Sequence, residues 1–157
     1  METTLIILKP DALKRRLVGP ILERFERKGL QIVGMKMAHL RRELVEEHYE
    51  PHRGKPFYEG LVRYMTGNPV ILLAVRGIGA IEVCRKLMGK TFGFEAEPGT
   101  IRGDFGISRS MNLVHGSDSP ESARRELDLF FAPHEIHEDP PIDLEWTYDP
   151  REELGRG

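Results

Sequence analysis

Cysteine is nearly absent from this 157-residue chain: Cys84 stands alone, so no internal disulfide can form, and a reducing, cytoplasmic setting is expected. A charged-then-apolar leader is lacking too, because Lys9 interrupts the opening hydrophobic run. Long apolar stretches are missing. Leu5 to Leu8 and Val70 to Val75 fall far short of the ~20 residues that a bilayer helix needs, so they read as buried strands and no membrane partner is expected. Charge of one sign is also lacking: Lys+Arg 23 against Asp+Glu 25 leaves a formal net charge of -2, which excludes a global field that gathers nucleic acid. Internal repeats, low-complexity tracts and linkers do not occur. A chain of this length forms one domain that buries roughly 70% of its unfolded surface. We assign that domain to residues 1–149 and a short polar tail to residues 150–157.

The punctuation of the chain predicts a mixed fold. Thr3 to Leu8 is β-rich and stops at Lys9-Pro10-Asp11, where proline and aspartate suit a first helical turn. Val18, Ile21, Leu22 and Phe25 recur at helical spacing, and Gly29 is placed to end that helix. Leu30 to Leu40 reads as a second strand, and Glu43 to Tyr49 and Phe57 to Met65 as two short helices around Pro51-His52-Arg53-Gly54. Val70 to Val75 is a third strand, Ile78 to Leu87 a helix, and Gly89 to Gly103 a long loop with four glycines. Leu113 to His115 is a short fourth strand, and Ser119-Pro120 caps a last helix that runs to Leu129. This order is the split βαβ pattern. It predicts an α+β, ferredoxin-like sandwich: a four-stranded antiparallel sheet covered by helices on one face, with a helical-hairpin insert and a long loop before strand four. A doubly wound parallel sheet is the rival.

The chemistry concentrates at Asn112-Leu113-Val114-His115-Gly116-Ser117-Asp118-Ser119, where an imidazole ends an apolar strand and a turn follows at once. Pro98-Gly99-Thr100-Ile101-Arg102-Gly103-Asp104 adds an arginine in a glycine-bracketed loop, and Lys9 lies where strand one stops. A nucleophilic histidine served by fixed cations is what phosphoryl transfer requires. An imidazole with a pKa near ~6.5 offers a neutral nitrogen at cellular pH without further activation.

These motifs, with Glu47-His48-Tyr49, Pro56-Phe57, Gly60-Leu61-Val62 and Trp146-Thr147-Tyr148, occur in an order and spacing that resembles the nucleoside diphosphate kinase family over nearly the whole chain. The resemblance implies ping-pong transfer of the γ-phosphoryl group from a nucleoside triphosphate to a nucleoside diphosphate, with His115 as the phosphohistidine intermediate, phosphorylated at its pros nitrogen. It implies that Glu126, with Ser117, orients that ring. Lys9 and Arg102 are then expected on the transferring and β-phosphates, Arg85 and Thr91 on the diphosphate, and Asn112 near the ribose hydroxyls, with Tyr49 packed beside the histidine. Phe57 and Leu61, four apart on one helix, match the family's base-stacking wall, which implies broad use of ribo- and deoxynucleotides of every base. Magnesium is expected on the nucleotide phosphates rather than in a protein cage. A homo-oligomer follows from the resemblance, a hexamer favoured over a tetramer.

Other features are set aside or left open. Gly89-Lys90-Thr91 lacks the glycine that a P-loop needs at position 84, and His134-Glu135-Ile136-His137 reads as a solvated segment rather than a metal site. Taken alone, Glu126 reads as a solvated helix face, Phe57 and Leu61 as ordinary core, and His39, His48 and His52 have no evident role. Gly93 stands where many family members have proline, which is expected to loosen a loop implied in trimer contacts. Arg109 replaces a more usual apolar residue and either contacts the base or faces solvent. The alternative to an enzyme is a non-catalytic regulatory or nucleic-acid-binding module on the same fold.

Overall fold

The computed structural model describes residues 1–152. Strand β1 (Glu2–Leu8) runs into helix α1 (Pro10–Lys14) and then α2 (Val18–Arg27), after which β2 (Gln31–Ala38) forms the sheet edge. Helices α3 (Arg42–His48) and α4 (Tyr58–Thr66) make the insert before β3 (Val70–Gly77). Helix α5 (Ala80–Met88), the short α6 (Ile101–Phe105), strand β4 (Val114–Gly116), α7 (Pro120–Phe130) and a single turn, α8 (Leu144–Thr147), complete the order. The sheet order is β2-β3-β1-β4 and every neighbouring pair is antiparallel, which is the expected ferredoxin-like arrangement.

Helices cover both faces of the sheet, not one. Ile6 and Leu8 of β1 face a core closed by Ile21 and Phe25 of α2 and by Cys84 and Met88 of α5. Leu5 and Ile7 face a second core built from Val45 and Tyr49, Val62 and Met65 of the insert, and Phe130 of α7. The physical reason lies in β1 and β3 themselves: their central residues are apolar on both faces, and burial of both requires two helical layers. The insert is therefore part of the domain core.

The long loop also differs from expectation. Thr100 accepts a hydrogen bond from the Gly103 N–H (3.0 Å) and so caps α6 inside the stretch read as irregular. Glycine at 103 is required there, since a Cβ would fall 1.9 Å from the carbonyl oxygen of Glu97. Gly93 is buried against the backbone of Gly106, 2.5 Å from where its Cβ would lie, and its N–H donates to Ser108 O (3.1 Å). Of the tail assigned to residues 150–157, residues 150–152 are exposed, and 153–157 lie outside the described residues.

Candidate active site

β4 is only three residues long, yet its position is fixed by β1, because Ile7 pairs with His115 and Leu8 with Val114. A strained turn precedes it. Leu113 has φ +73°, and the Val114 N–H donates across it to Asn112 O at 2.8 Å, the geometry of a positive-φ γ-turn. Three contacts hold it: the Leu113 side chain is fully buried, its carbonyl accepts from the Lys9 N–H (2.8 Å), and its own N–H donates to Asp11 Oδ2 (3.1 Å). The other Asp11 oxygen accepts from the Tyr64 hydroxyl at 2.5 Å. Asp11, read from the sequence only as a helix start, is a positioning residue for the turn that aims His115. Asp11→Ala leaves the buried Leu113 N–H without an acceptor, a cost of about 1–3 kcal/mol. The melting temperature is then expected to fall by roughly 2–4 °C per kcal/mol. An unchanged melting curve contradicts this role.

His115 is half-buried, and its Nε2 lies 3.0 Å from Glu126 Oε1. Glu126 on α7 is buried rather than solvated, with 4% exposure, and its second oxygen accepts a short hydrogen bond from the Ser117 hydroxyl. Burial pushes the Glu126 carboxyl up, but the His115 hydrogen bond and charge, Ser117 and His48 outweigh it and hold the group below its ordinary value. The carboxylate therefore stays ionised and accepts a hydrogen bond from the Nε2–H, which leaves the lone pair on Nδ1. His48 is the functional neighbour that the sequence reading passed over. Its ring meets His115 edge to face at 4.7 Å, its Nδ1 is 3.5 Å from Glu126 Oε1, and burial followed by repulsion from His115 lowers it to about 3. A neutral imidazole thus packs against the His115 ring. The signal was available: Val45, His48 and Tyr49 share the buried face of the α3 segment at helical spacing.

Cations line the cleft in front of His115. Lys9 Nζ donates to Asn112 Oδ1 (2.9 Å), and Asn112 Nδ2 donates to Thr91 O (3.0 Å), so three of the expected residues form one chain. Arg102 is 7% exposed and its Nε, Nη1 and Nη2 donate to the carbonyls of Asn112 (3.1 Å), Gly89 (2.9 Å) and Val114 (2.7 Å). Arg85 on α5 reaches Gly116 O at 3.4 Å. Tyr49 packs on His48 at 4.4 Å. Ser117 reaches the site only through Glu126. Phe57, 53% exposed, lies in an adjoining apolar slot that shares Lys9, Leu61, Thr91 and Asn112 with the cleft in front of His115. Among the described residues one group of His, Cys, Asp and Glu side chains is close enough to hold a metal ion, and it is His48, His115 and Glu126. His134 and His137 are not in it, and Glu135 instead pairs with Lys36 at 2.6 Å.

Burial, and then Arg102, lower Lys9 to about 8, against a smaller upward pull from Asp11. In the free protein Lys9 is charged below that pH and neutral above it. Capture of a polyphosphate, read as kcat/KM for the triphosphate, is expected to fall as pH rises through about 8. The limb in kcat lies higher, because bound phosphate favours the ammonium. Lys9→Gln removes the alkaline limb, and its persistence in that variant contradicts the assignment.

An oriented imidazole at the floor of a cationic cleft, with an apolar slot beside it, defines a phosphotransferase that acts on nucleotides. The model of the nucleoside diphosphate kinase family matches residues 2–136. The nucleoside diphosphate kinase of Pyrococcus horikoshii is 53% identical over 150 residues, 94% of this chain and 95% of that protein. The Archaeoglobus fulgidus enzyme of the same name is 51% identical over 151 residues, 96% of this chain and all of that one. Among solved structures, a halophilic nucleoside diphosphate kinase from Halobacterium salinarum in complex with CDP superposes with a TM-score of 0.92 at 41% identity, over 94% of this chain and 99% of its own. The chain belongs to the nucleoside diphosphate kinase family, and its activity is that of a nucleoside diphosphate kinase.

Proposed function

We propose that His115 carries the phosphoryl group between nucleotides on Nδ1. The observation that carries this reading is the Nε2 contact to Glu126 at 3.0 Å, which commits one ring nitrogen to the carboxylate and leaves the other for phosphorus. Nδ1 attacks the γ-phosphorus of a triphosphate, the bond to the β,γ-bridging oxygen breaks, and the diphosphate departs. A second diphosphate reverses the step by attacking phosphohistidine with its terminal oxygen. The positive charge that the ring gains on phosphorylation is offset by Glu126, held in place by Ser117. Lys9 and Arg102 face the transferring and β-phosphates, Arg85 and Thr91 the diphosphate, and Asn112 the sugar hydroxyls. Tyr49 packs the floor, while Phe57 and Leu61 stack the base. A non-catalytic module makes no use of this closed His115–Glu126–Ser117 chain.

A divalent cation accompanies the nucleotide in this family, and we assign it as magnesium carried on the substrate. The cleft suits that arrangement: its charged lining is mostly Lys9, Arg85, Arg102 and Arg125, and the one buried carboxylate, Glu126, is already engaged by His115 and Ser117. Bound there, the ion neutralises phosphate charge; the residues of the chain do the positioning.

The double-displacement scheme is tested by initial rates with ATP varied at several fixed GDP concentrations. Parallel double-reciprocal lines are expected. Intersecting lines mean direct transfer in a ternary complex and remove the carrier role.

The same reading includes a homo-hexamer and a cytoplasmic location. Edge strand β2 exposes Met35 (59%) and Met37 (67%), a surface suited to burial against another copy. The lone, buried Cys84 suits a reducing compartment. Among the described residues no helix is long and apolar enough to cross a membrane. Sedimentation at monomer mass removes the oligomer.

A further inference from the structure

The slot beside the phosphate cleft holds one charged group that the transfer chemistry does not use. On one side stand Phe57, Leu61 and Tyr64 of the insert; on the other stand Phe92, Arg109 and Met111. The Arg109 guanidinium carbon lies 5.0 Å from the centroid of the Phe92 ring and 5.4 Å from that of Phe94, and these two rings stack at 6.1 Å with 11° between their planes. Cation–π attraction to two rings fixes a side chain that solvent otherwise leaves free. The backbone under it is fixed as well, because the Gly93 N–H donates to Ser108 O (3.1 Å) and the glycine packs directly on Gly106 and Ile107. No carboxylate among the described residues pairs with Arg109, and no described acceptor takes its N–H groups. It is a cation held against two rings, and its N–H donors have no partner among the described residues.

We propose that Arg109 makes the base slot selective, favouring bases that carry a carbonyl on their outer edge (guanine, hypoxanthine, uracil) over those that carry an amino group there (adenine, cytosine). The proposal rests on the reading of this cleft as a nucleotide site and sharpens it. Stacking on Phe57 accepts every base, since every base has a π-face. A guanidinium adds direction: it offers N–H donors in one plane and has no acceptor. Guanine O6 and N7 accept two parallel N–H groups, uracil O4 accepts one, and the amino groups of adenine and cytosine meet a donor with a donor. All bases enter, and they are ranked.

Bidentate arginine contacts discriminate by about 1–3 kcal/mol in a nucleic-acid groove, and a solvent-open slot takes the low end, roughly 5- to 10-fold. The test is kcat/KM for GDP, IDP, ADP, UDP and CDP as acceptors, in the wild-type protein, Arg109→Leu and Arg109→Lys. Expected are a GDP-to-ADP ratio of about 5–10 in the wild type, a UDP-to-CDP ratio of about 3, and collapse of both toward 1 in Arg109→Leu. IDP must follow GDP, because it shares O6 and N7 but lacks the 2-amino group. Arg109→Lys keeps part of the preference through a single donor. Ratios that survive in Arg109→Leu, or an IDP value close to ADP, overturn the proposal while leaving the nucleotide reading intact. A wild-type protein that transfers to none of these acceptors overturns both. Thermal melting of each variant confirms that the ratios are read on folded protein.

Discussion

Replacement of His115 by alanine is expected to abolish phosphoryl transfer, with kcat reduced by roughly 10⁴-fold or more, the scale at which loss of a nucleophile is felt. The drop is this large because nothing nearby can substitute. His48 is neutral and close, but both of its ring nitrogens are buried from solvent and make no hydrogen bond, and its Nδ1 lies toward Glu126 rather than toward a substrate. Burial, followed by Glu126, pushes the Tyr49 hydroxyl far above its ordinary value, so no phenolate forms. The Cys84 thiol is pushed up to about 12 by burial, and it lies in the core on the opposite face of the sheet. Folding is expected to survive, since Glu126 keeps the Ser117 hydroxyl and the His48 ring. Activity above about 1% of wild type in a folded His115→Ala protein contradicts the assignment.

Arg102→Leu is expected to damage both stability and catalysis. The guanidinium ties the end of α5 through Gly89, the strained turn through Asn112, and β4 through Val114, so one side chain spans three elements around His115. Burial, then Arg85, lowers its pKa to about 10, and it remains charged at neutral pH. Hydrogen bonds from a charged donor contribute about 1.5–3 kcal/mol each, and removal of the shared donor is expected to cost about 3–5 kcal/mol in all, since the losses are not additive. At roughly 2–4 °C per kcal/mol the melting temperature falls by about 10 °C. Arg102→Lys keeps the charge but not the planar fork, and is not expected to restore stability. If Arg102→Lys melts like the wild type and changes only KM, the residue is a phosphate ligand without the structural role.

Much of this was legible in the residues. The end of β1 before Lys9 followed from an apolar run broken by turn-formers, and Ser119-Pro120 marked α7 correctly, with the Ser122 N–H donating to Ser119 Oγ at 3.1 Å; the fourth strand lies one residue later than expected, at Val114–Gly116, because Leu113 is taken up by the γ-turn. Less visible was anything that depends on a distant partner. Thr100-Ile101-Arg102-Gly103 reads as loop because glycine disfavours helix, yet here the nearness of Glu97 O excludes any larger residue. Glu126 and Asp11 look like ordinary surface or helix-start acids until Ser117 and Leu113 are folded onto them. Two-faced burial was implied by the unbroken apolar run of β3, whose consequence for the insert helices is a tertiary fact rather than a local one. Arg109 stayed ambiguous, because the pair of rings that holds it lies 15 and 17 positions away in sequence, on the far side of α6.

The most direct test is chemical identification of the intermediate. Wild-type protein incubated with γ-labelled ATP and freed of nucleotide is predicted to hold acid-labile, base-stable label, assigned by NMR to Nδ1 of His115 and released in full to added GDP. Label on another side chain, on Nε2, or that GDP fails to remove contradicts the account.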